Sequence, residues 1–524
     1  MQGRLAIVLH AHLPFVRHPE YERFLEENWL FEAVTECYLP LLEILTGWQR
    51  DAVPARLTLS LSPTLCSMLQ DQLLRERCLR HIDGLIELAG KEVVRTHFEG
   101  ALHALACSYH DRFAKLRDQY LEYGADLVGA FRKLQQIGVV EIITTAATHA
   151  VLPMLAEHPP SLRAQILVAR DHYRECFGQE PRGIWLPECA YTPAVEAALK
   201  ETRIRWFILD THGVLHAQPR PRYGVYAPVF TPGGLAAFGR DINSARQVWS
   251  REEGYPGDYR YRDFYRDIGF DLDFDYVKPY LPTLGTRTFT GLKYHRISGG
   301  GHEKELYHRA EALTAVEEHV AHFLHARVDQ FVRIGEIMDR PPVLVMPYDA
   351  ELFGHWWYEG PEFLDLFVRR AVSAQDTFTL RTPTDYLREQ STNQIVTPSP
   401  SSWGKGGHLG VWLNEKNADL YSQVLTAQEQ MGELVRHHPR ANGLTARALR
   451  QAARELLLIQ ASDWPFILTT GTSSGYAQER FATHLSRFLL LLKQLSHGTV
   501  NEAALREMET KDNLFPDVDY RYWA

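Results

Sequence analysis

The chain has 524 residues, of which 45% are hydrophobic, so it can bury a large core and is long enough for more than one domain. Its formal net charge is −9 and its basic residues form no block, which argues against nucleic acid as the main ligand. The six cysteines include no CxxC pair, so the sequence indicates no zinc knuckle or disulfide framework, and we expect a reduced, cytoplasmic setting. We also predict no secretory signal and no membrane partner, because the apolar runs are shorter than a bilayer requires.

The first predicted strand, Leu5 to Leu9, runs into a pair of histidines, His10 and His12. Residues two apart on a strand share a face, so both imidazoles are expected to point the same way. The pair is typical of sugar-binding or structural histidines that line a cleft, and a pair of metal ligands is the alternative. Because no acid or thiol stands nearby in the sequence, we favour the first interpretation.

Further strands alternate with segments of helical periodicity. His149 lies beyond the end of one of these strands, and Glu188 follows Pro187 at the end of another. The predicted helices cover residues 66–90, 111–136, 160–176 and 305–338. The predicted strands after the first cover residues 56–61, 93–99, 139–145, 183–186 and 205–212.

Residues 213–300 interrupt the alternation with several prolines, a glycine pair and an aromatic, basic segment at 254–262. Such a stretch predicts an inserted loop and helical excursion. Loops of this kind commonly carry binding residues on a rigid scaffold, although a plain surface excursion is the alternative.

The next strand, Val343 to Met346, ends at Pro347 because proline cannot donate a ladder hydrogen bond. The strand places an acidic residue, Asp349, near its carboxyl end, which is where α/β barrels hold their catalytic residues. A histidine and two tryptophans follow within eight residues: His355, Trp356 and Trp357.

Repeated strand–helix alternation predicts a parallel α/β fold, and its length favours a barrel over an open sheet. After about residue 390 the sequence changes to a Pro/Ser-rich linker and then to amphipathic helices such as 447–460 and 477–495. We therefore predict a barrel domain over 1–395, with the excursion at about 213–300, and a C-terminal all-helical domain over 396–524. No glycine-rich phosphate-binding loop follows a strand, so the sequence does not indicate a nucleotide cofactor.

Two acidic residues at strand ends, Glu188 and Asp349, are the smallest set of catalytic residues that can break a glycosidic bond. One carboxylate attacks or activates water, and the other, protonated, donates to the leaving oxygen. Acids are common at strand ends, and the sequence does not give the separation that distinguishes a retaining from an inverting enzyme.

Five short motifs resemble the ordered motifs of glycoside hydrolase family 57, and they span nearly the whole chain. They are His10–Pro14 (HAHLP), Trp185–Tyr191 (WLPECAY), Met346–Trp356 (MPYDAELFGHW), Ser401–Gly404 (SSWG) and Asp463–Phe466 (DWPF). The resemblance implies an incomplete (β/α)7 TIM-like barrel, a retaining mechanism and neither a metal nor another cofactor. Within the family the chain most resembles the 1,4-α-glucan branching enzymes, which share its length and helical C-terminal domain.

The resemblance also implies residue roles. Glu188 is expected to be the nucleophile and Asp349 the general acid/base, acting on an α-glucan such as amylose, amylopectin or glycogen. Phe270 stands where the family leads us to expect a tryptophan. A monomer or small homo-oligomer is expected. The implied substrate-binding residues are His10, His12, His149, Arg266, Gly285, His355, Trp356, Trp357, Trp403, Trp412 and Asp463.

Three alternatives stay open. An α-amylase or 4-α-glucanotransferase of the same family would use the same covalent chemistry with a different acceptor. A metal-dependent carbohydrate deacetylase would use the strand-end His10 and His12 as zinc ligands. A glucan-binding protein without activity would use the tryptophans alone.

Overall fold

The computed structural model describes residues 2–250, 253–283, 285–298 and 304–524, and it has an α/β fold with a helical C-terminal region. Its strands are β1 (Gly3–Ala11), β2 (Leu57–Leu61), β3 (Val140–Ile143), β4 (Gly183–Ile184), β5 (Trp206–Leu209), β6 (Val229–Phe230), β7 (Ala236–Gly239), β8 (Val343–Asp349) and β9 (Phe378–Leu380). Its helices are α1 (Glu27–Ala33), α2 (Leu39–Arg50), α3 (Pro63–Gln70), α4 (Gln72–Arg95), α5 (Gly100–Glu122), α6 (Leu127–Gln136), α7 (Pro159–Phe177), α8 (Pro193–Leu199), α9 (Thr211–Leu215), α10 (Ile242–Trp249), α11 (Ile268–Asp271), α12 (Phe274–Val277), α13 (Arg309–Gly335), α14 (Gly360–Ser373), α15 (Pro383–Glu389), α16 (Ala418–His437), α17 (Gly443–Ile459), α18 (Asp463–Thr470), α19 (Ser474–His497) and α20 (Glu502–Lys511).

Two sheets hold these strands. The first has the order β3-β2-β1-β8, with β9 beside β1, and its pairings are parallel. The second has the order β4-β5-β7-β6, with β6 antiparallel to β7. Parallel bridges from Thr144 to Ile184 and from Arg240 to Val345 join the two sheets. The carboxyl ends of the parallel strands therefore lie on one side, where the side chains that follow them can meet.

Strands β1 and β8 are buried along nearly their whole length because both faces of the sheet are covered, which accounts for their continuous aliphatic runs. Their register sets His10 opposite Asp349. The hydrophobic core continues from these strands into the C-terminal helices, where it includes Leu457 and Trp464. The C-terminal region is thus packed directly onto the sheet-containing part of the chain.

The predicted strand at 93–99 is wrong. Helix α4 continues to Arg95 and is followed by a turn, and the Arg95 guanidinium donates to the Glu92 carboxylate one turn earlier at 2.8 Å. Two strands, β6 and β7, were missed inside the predicted excursion instead. β6 has only two residues, and the four residues of β7 include no β-branched side chain, so both carry little strand signal.

The predicted helix at 111–136 is two helices, α5 and α6. Gly124 and Ala125 have φ values of 61° and 56°, in the left-handed region that ends a helix. Asp126 then caps α6 by accepting a hydrogen bond from the Gly129 backbone N–H at 2.9 Å. The predicted helices at 160–176 and 305–338 are confirmed as α7 and α13.

No helix in the described part of the chain combines the length and the hydropathy needed to cross a lipid bilayer. The six cysteines are free thiols, and five of them are buried.

Candidate active site

The two predicted acids lie after strands of the two joined sheets. Asp349 ends β8, directly opposite His10 of β1. Glu188 follows β4 in a 3-10 turn over Pro187–Cys189, where its φ of 60° and ψ of 22° put it in the left-handed region. His149 also has a positive φ, 55°. Positive φ is uncommon for residues with a Cβ and clusters at active sites, where the fold holds such residues in place.

The Glu188 carboxylate accepts a hydrogen bond from the region after residue 396. The Trp403 indole N–H donates to Glu188 Oε2 at 2.7 Å, and His149 Nδ1 lies 3.7 Å from Glu188 Oε1. Burial raises the pKa of Glu188 to about 7, while the hydrogen bond from Trp403 and the nearby Ser462 hydroxyl hold it lower than burial alone would. The group is therefore substantially ionised near neutral pH, as a nucleophile needs to be.

Asp349 is in a different electrostatic environment. Burial raises the pKa of Asp349 well above its usual value, and the carboxylates of Glu351 and Glu188 raise it further against the opposing charge of Arg240. Burial and the neighbouring carboxylates thus favour the protonated form of Asp349, whereas the hydrogen bond from Trp403 favours the ionised form of Glu188. A pair of carboxyl groups whose environments separate their pKa values is the arrangement that assigns one as acid and the other as nucleophile.

The histidines form a packed network under these acids. His10 Nε2 lies 2.9 Å from His149 Nε2, and the His10 ring stacks on Trp185 with the ring centroids 4.5 Å apart. His12 Nδ1 lies 2.9 Å from Ser62 Oγ, and His12 Nε2 lies 3.2 Å from Asp463 Oδ2.

Every ring nitrogen of His10, His12 and His149 thus has a protein partner. That His10, His12 and His149 hydrogen-bond glucose hydroxyls stays a prediction, and such contacts would have to share or replace these protein partners. For the same reason the zinc-ligand alternative would require this network to be broken.

His355 is arranged differently. Its Nδ1 is 2.5 Å from Glu36 Oε2, and Glu36 lies in a π-helical turn, Val34–Tyr38, between α1 and α2. π-helical turns occur frequently at functional sites. Within the described residues, His355 Nε2 has no hydrogen-bond partner and the side chain is partly exposed, so this nitrogen can reach a ligand. Burial lowers the pKa of His355, but the hydrogen bond and the charge of Glu36 outweigh it and raise the pKa overall.

Aromatic rings continue outward from Glu188. The Trp403 ring centroid lies 6.2 Å from that of Trp249, and Trp249 lies 6.1 Å from Trp356. Trp249 and Trp356 are 38% and 47% exposed, so they form an open wall beside the acids. Trp249, which ends α10 inside the predicted excursion, was not among the predicted site residues.

Two of the predicted tryptophans are not part of that wall. Trp357 is 1% exposed and packs against Phe363, with the ring centroids 4.9 Å apart. Trp412 is 2% exposed and packs in a small cluster with Val151 and Ala190. The prediction of substrate contact for Trp357 and Trp412 is therefore corrected, since neither ring has an open face for a sugar.

Arg266 and Gly285 lie on the excursion rather than beside the acids. Arg266 Nε pairs with Asp271 Oδ1 at 2.8 Å, and an added Cβ at Gly285 would have no neighbour within 4 Å. Phe270 is exposed, and its ring centroid is 5.5 Å from that of Phe289. Among the residues that the structure covers, no contact joins Arg266 or Gly285 to Glu188 or Asp349, so these two predictions have no structural support.

The C-terminal region supplies Asp463, at the start of α18, and its neighbour Ser462. An antiparallel bridge between Ala150 and Ala461 holds this segment beside His149. Ser462 was not predicted, because a serine before a helix is commonly only a cap.

One further group has the side chains to hold a metal ion: Glu455, His484 and Asp512. Arg487 donates a hydrogen bond to Asp512, and His484 Nδ1 is 2.7 Å from Glu455 Oε2. A guanidinium thus contacts one carboxylate and an imidazole the other, while His484 Nε2 and Asp512 Oδ1 are buried without a hydrogen-bond partner among the described residues.

Comparison with known proteins decides the family. Residues 6–398 match the model of glycosyl hydrolase family 57, and residues 423–523 match a model described as 1,4-alpha-glucan branching enzyme, C-terminal. The chain belongs to glycosyl hydrolase family 57. The resemblance drawn from the five motifs is thereby confirmed.

Two curated relatives align with almost the whole of this chain. The 1,4-alpha-glucan branching enzyme of Thermococcus kodakarensis is 31% identical over 99% of this chain and 78% of its own length. A probable 1,4-alpha-glucan branching enzyme of Mycobacterium tuberculosis is 29% identical over 99% of this chain and 98% of its own length.

Two solved structures share the fold throughout. The alpha-amylase AmyC from Thermotoga maritima has a TM-score of 0.94 at 43% identity, with 100% of this chain and 99% of that chain covered. The family 57 branching enzyme from Pyrococcus horikoshii has a TM-score of 0.90 at 30% identity, with 100% and 97% covered. Their names give different activities, so the fate of the cleaved chain has to be argued separately.

Proposed function

We propose that this family 57 protein is a 1,4-α-glucan branching enzyme, which cleaves an α-1,4 bond and transfers the released chain to a 6-hydroxyl. The observation that carries the proposal is the C-terminal region. Its match to the branching-enzyme C-terminal model lies in the part of the chain that brings Ser462 and Asp463 to Glu188 and His12.

In the first half-reaction, Glu188 attacks the anomeric carbon and Asp349 gives its proton to the leaving glycosidic oxygen. The bond from the anomeric carbon to that oxygen breaks as the glucosyl–Glu188 ester forms. The raised pKa of Asp349 supports its role as acid, and the hydrogen bond that Trp403 donates to Glu188 supports the role of Glu188 as nucleophile.

In the second half-reaction, the 6-hydroxyl of an acceptor glucan attacks the same carbon. Asp349, now ionised, takes the hydroxyl proton, and the ester bond to Glu188 breaks. Transfer competes with water, so it needs an acceptor held over the ester. The open rings of Trp249 and Trp356, beside Trp403, supply apolar faces on which a sugar can stack.

We also propose that the strands form the incomplete (β/α)7 barrel of a 1–395 domain, with 396–524 as a second domain. The two parallel bridges between the sheets support this description. So does the end of the family match at residue 398.

Incubation with amylose tests the activity. A branching enzyme produces new α-1,6 anomeric signals in the proton NMR spectrum, with few new reducing ends, and Glu188→Gln produces neither. Redistributed linear chains without branch signals would instead assign a 4-α-glucanotransferase.

An α-amylase is the second candidate, and the likeness to AmyC at 43% identity favours it. The same incubation separates the two. Reducing ends that accumulate without α-1,6 signals would replace branching by hydrolysis as the main activity.

A further inference from the structure

Arg240 directly follows β7 and lies where the two sheets meet. Its backbone N–H donates to the Leu209 carbonyl at the end of β5, and its own carbonyl accepts from the Thr211 hydroxyl, both at 2.9 Å. The parallel bridge to Val345 holds it beside β8, the strand that ends at Asp349. The backbone of Arg240 is therefore fixed by both sheets, on the side of the fold that carries the two acids.

The Arg240 guanidinium lies between a carboxylate and an indole. Its Nη1 is 3.4 Å from Asp210 Oδ2, and its Cζ lies over the Trp403 ring, 5.6 Å from the ring centroid. At that distance a cation is attracted to the electron-rich face of a tryptophan. Arg240 is thus anchored by Asp210 and covers one face of the Trp403 indole.

The same tryptophan is attached to Glu188 at two points. The Trp403 backbone N–H donates to the Glu188 carbonyl at 2.8 Å, and the indole N–H donates to Glu188 Oε2 at 2.7 Å. The Trp185 ring packs against the indole in a T-shaped arrangement, with the ring centroids 5.2 Å apart. Contacts therefore run without a break from Asp210 through Arg240 and Trp403 to the nucleophile.

A cation over an indole draws electron density toward the ring face, because that face is negative and the charge polarises it. The N–H at the ring edge then becomes more positive and is a stronger donor. A stronger donor favours the ionised form of the carboxylate that accepts its hydrogen bond. A positive charge that does not touch Glu188 can in this way stabilise the ionised carboxylate.

We propose that Arg240 is a positioning residue for the nucleophile, which holds the Trp403 indole in place and strengthens its hydrogen bond to Glu188. Asp210 supports this role by anchoring the guanidinium. The inference rests on the proposed role of Glu188 as nucleophile. It also gives β7 a part in the reaction, since this strand leads into Arg240 as β8 leads into Asp349.

Arg240 also acts on the second acid. Burial raises the pKa of Asp349, the carboxylates of Glu351 and Glu188 raise it further, and the charge of Arg240 lowers it. Loss of the charge at Arg240 is therefore expected to move the alkaline limb of the pH profile upward. The acid limb reports Glu188, so the effect through Trp403 has to appear there.

Several other titratable groups surround Glu188. Burial raises its pKa, Asp463 raises it further and His12 lowers it, and His149 Nδ1 lies 3.7 Å from its Oε1. Burial also raises the pKa of the adjacent Cys189 thiol well above its usual value, so this group is neutral. In the described part of the chain, none of these side chains forms a hydrogen bond or an ion pair with the arginine.

The test is the pH profile of kcat/KM in Arg240→Gln, with Arg240→Lys as the conservative variant. Arg240→Gln removes the cation from the ring, so the donor weakens and the pKa of Glu188 rises. We expect the acid limb to move up by about half a pH unit. Arg240→Lys keeps a positive charge beside the ring and is expected to keep both limbs near their wild-type positions.

Trp403→Phe shows whether the effect passes through the indole N–H. This variant keeps an aromatic ring but removes the donor, so we expect the acid limb to move up by about one pH unit. Adding Arg240→Gln to Trp403→Phe is then expected to move the acid limb no further, because the donor on which the charge acts is gone. A further shift in the double variant would overturn the proposal, by showing that the charge reaches Glu188 directly.

Arg222→Gln is the matched control. Arg222 pairs with Asp339 at 2.8 Å and lies over the Tyr223 ring, 5.0 Å from its centroid, at an exposed position. We expect no shift of either limb in this variant. An unshifted acid limb in Arg240→Gln would overturn the proposal, whether or not the alkaline limb moves. A loss of rate at every pH without a shift would also overturn it, by assigning Arg240 a packing role.

Cleavage is followed by loss of amylose–iodine colour, which reports broken α-1,4 bonds whichever acceptor takes the chain. Failure of branching therefore leaves this test intact, and retained cleavage in Glu188→Gln would separately remove the nucleophile role. Should Arg240→Gln not fold because Asp210 is left without its counter-charge, Arg240→Gln combined with Asp210→Asn removes both charges. This double variant carries the same expectation for the acid limb.

Discussion

The side chains around Glu188 and the tryptophans of the open wall differ in whether other protein groups already contact them. Around Glu188, each nitrogen of His10, His12 and His149 has a protein partner. Along the wall, Trp249 and Trp356 expose their rings. The comparison indicates that the fold itself positions the reacting groups, whereas the wall is left open for the sugar chain.

The largest expected effect is at the nucleophile. Glu188→Gln removes the attacking oxygen but keeps its shape, so we expect cleavage to fall by at least about 10³-fold while glucan binding persists. Rate assays and affinity electrophoresis on glycogen-containing gels measure the two properties. Glu201→Gln, at an exposed ion pair with Arg163, is the control. Retained cleavage in Glu188→Gln would remove this residue from the role.

The pH dependence tests the division between the two acids. Glu188 has to be ionised, so kcat/KM is lost as the pH falls through about 7. Asp349 has to be protonated, so activity is lost again as the pH rises through its raised pKa. The two limbs report the coupled pair rather than single residues. Asp349→Asn is expected to lower kcat by about 10²- to 10⁴-fold.

In Asp349→Asn the alkaline limb is also expected to disappear. A wild-type profile without an alkaline limb, or an unchanged limb in Asp349→Asn, would contradict the assignment of Asp349 as the proton donor.

A smaller effect is expected at the open wall. Trp249→Ala removes a stacking face, so we expect about a tenfold loss of kcat/KM and a larger share of products with free reducing ends. Trp249→Phe keeps an aromatic ring and should retain most of the transfer. An unchanged ratio of transfer to hydrolysis in Trp249→Ala would separate the wall from acceptor binding.

The smallest effect is expected where the two regions meet. Glu36→Gln weakens the hydrogen bond that orients His355, so we expect KM to rise about fivefold with little change in kcat. Glu43→Gln, on the exposed side of α2 and paired with Lys115, is the control. A fall in kcat without a change in KM would place His355 among the reacting groups instead.

The sequence predicts the reacting groups better than the wall. Glu188 and Asp349 could be found because each directly follows an apolar strand, which is a local signal. Ser462 could not, since its partner His149 is 313 residues away and no local pattern reports such a contact.

The two tryptophans after His355 show a second limit. One lies in the open wall and the other in the core, although they are adjacent. Their directions depend on the turn at Gly354, which has a φ of 115° and passes so close to Glu36 that an added Cβ would lie 1.9 Å from its carbonyl oxygen. The close approach of Gly354 to Glu36 cannot be deduced from the sequence alone.

The hydrogen-bond donor on Glu188 also has a consequence for synthesis of the protein. Trp403 lies after residue 396, so a nascent chain that has emerged only to residue 395 contains both acids but not this donor. Catalytic competence therefore depends on a segment that is synthesised after both acids.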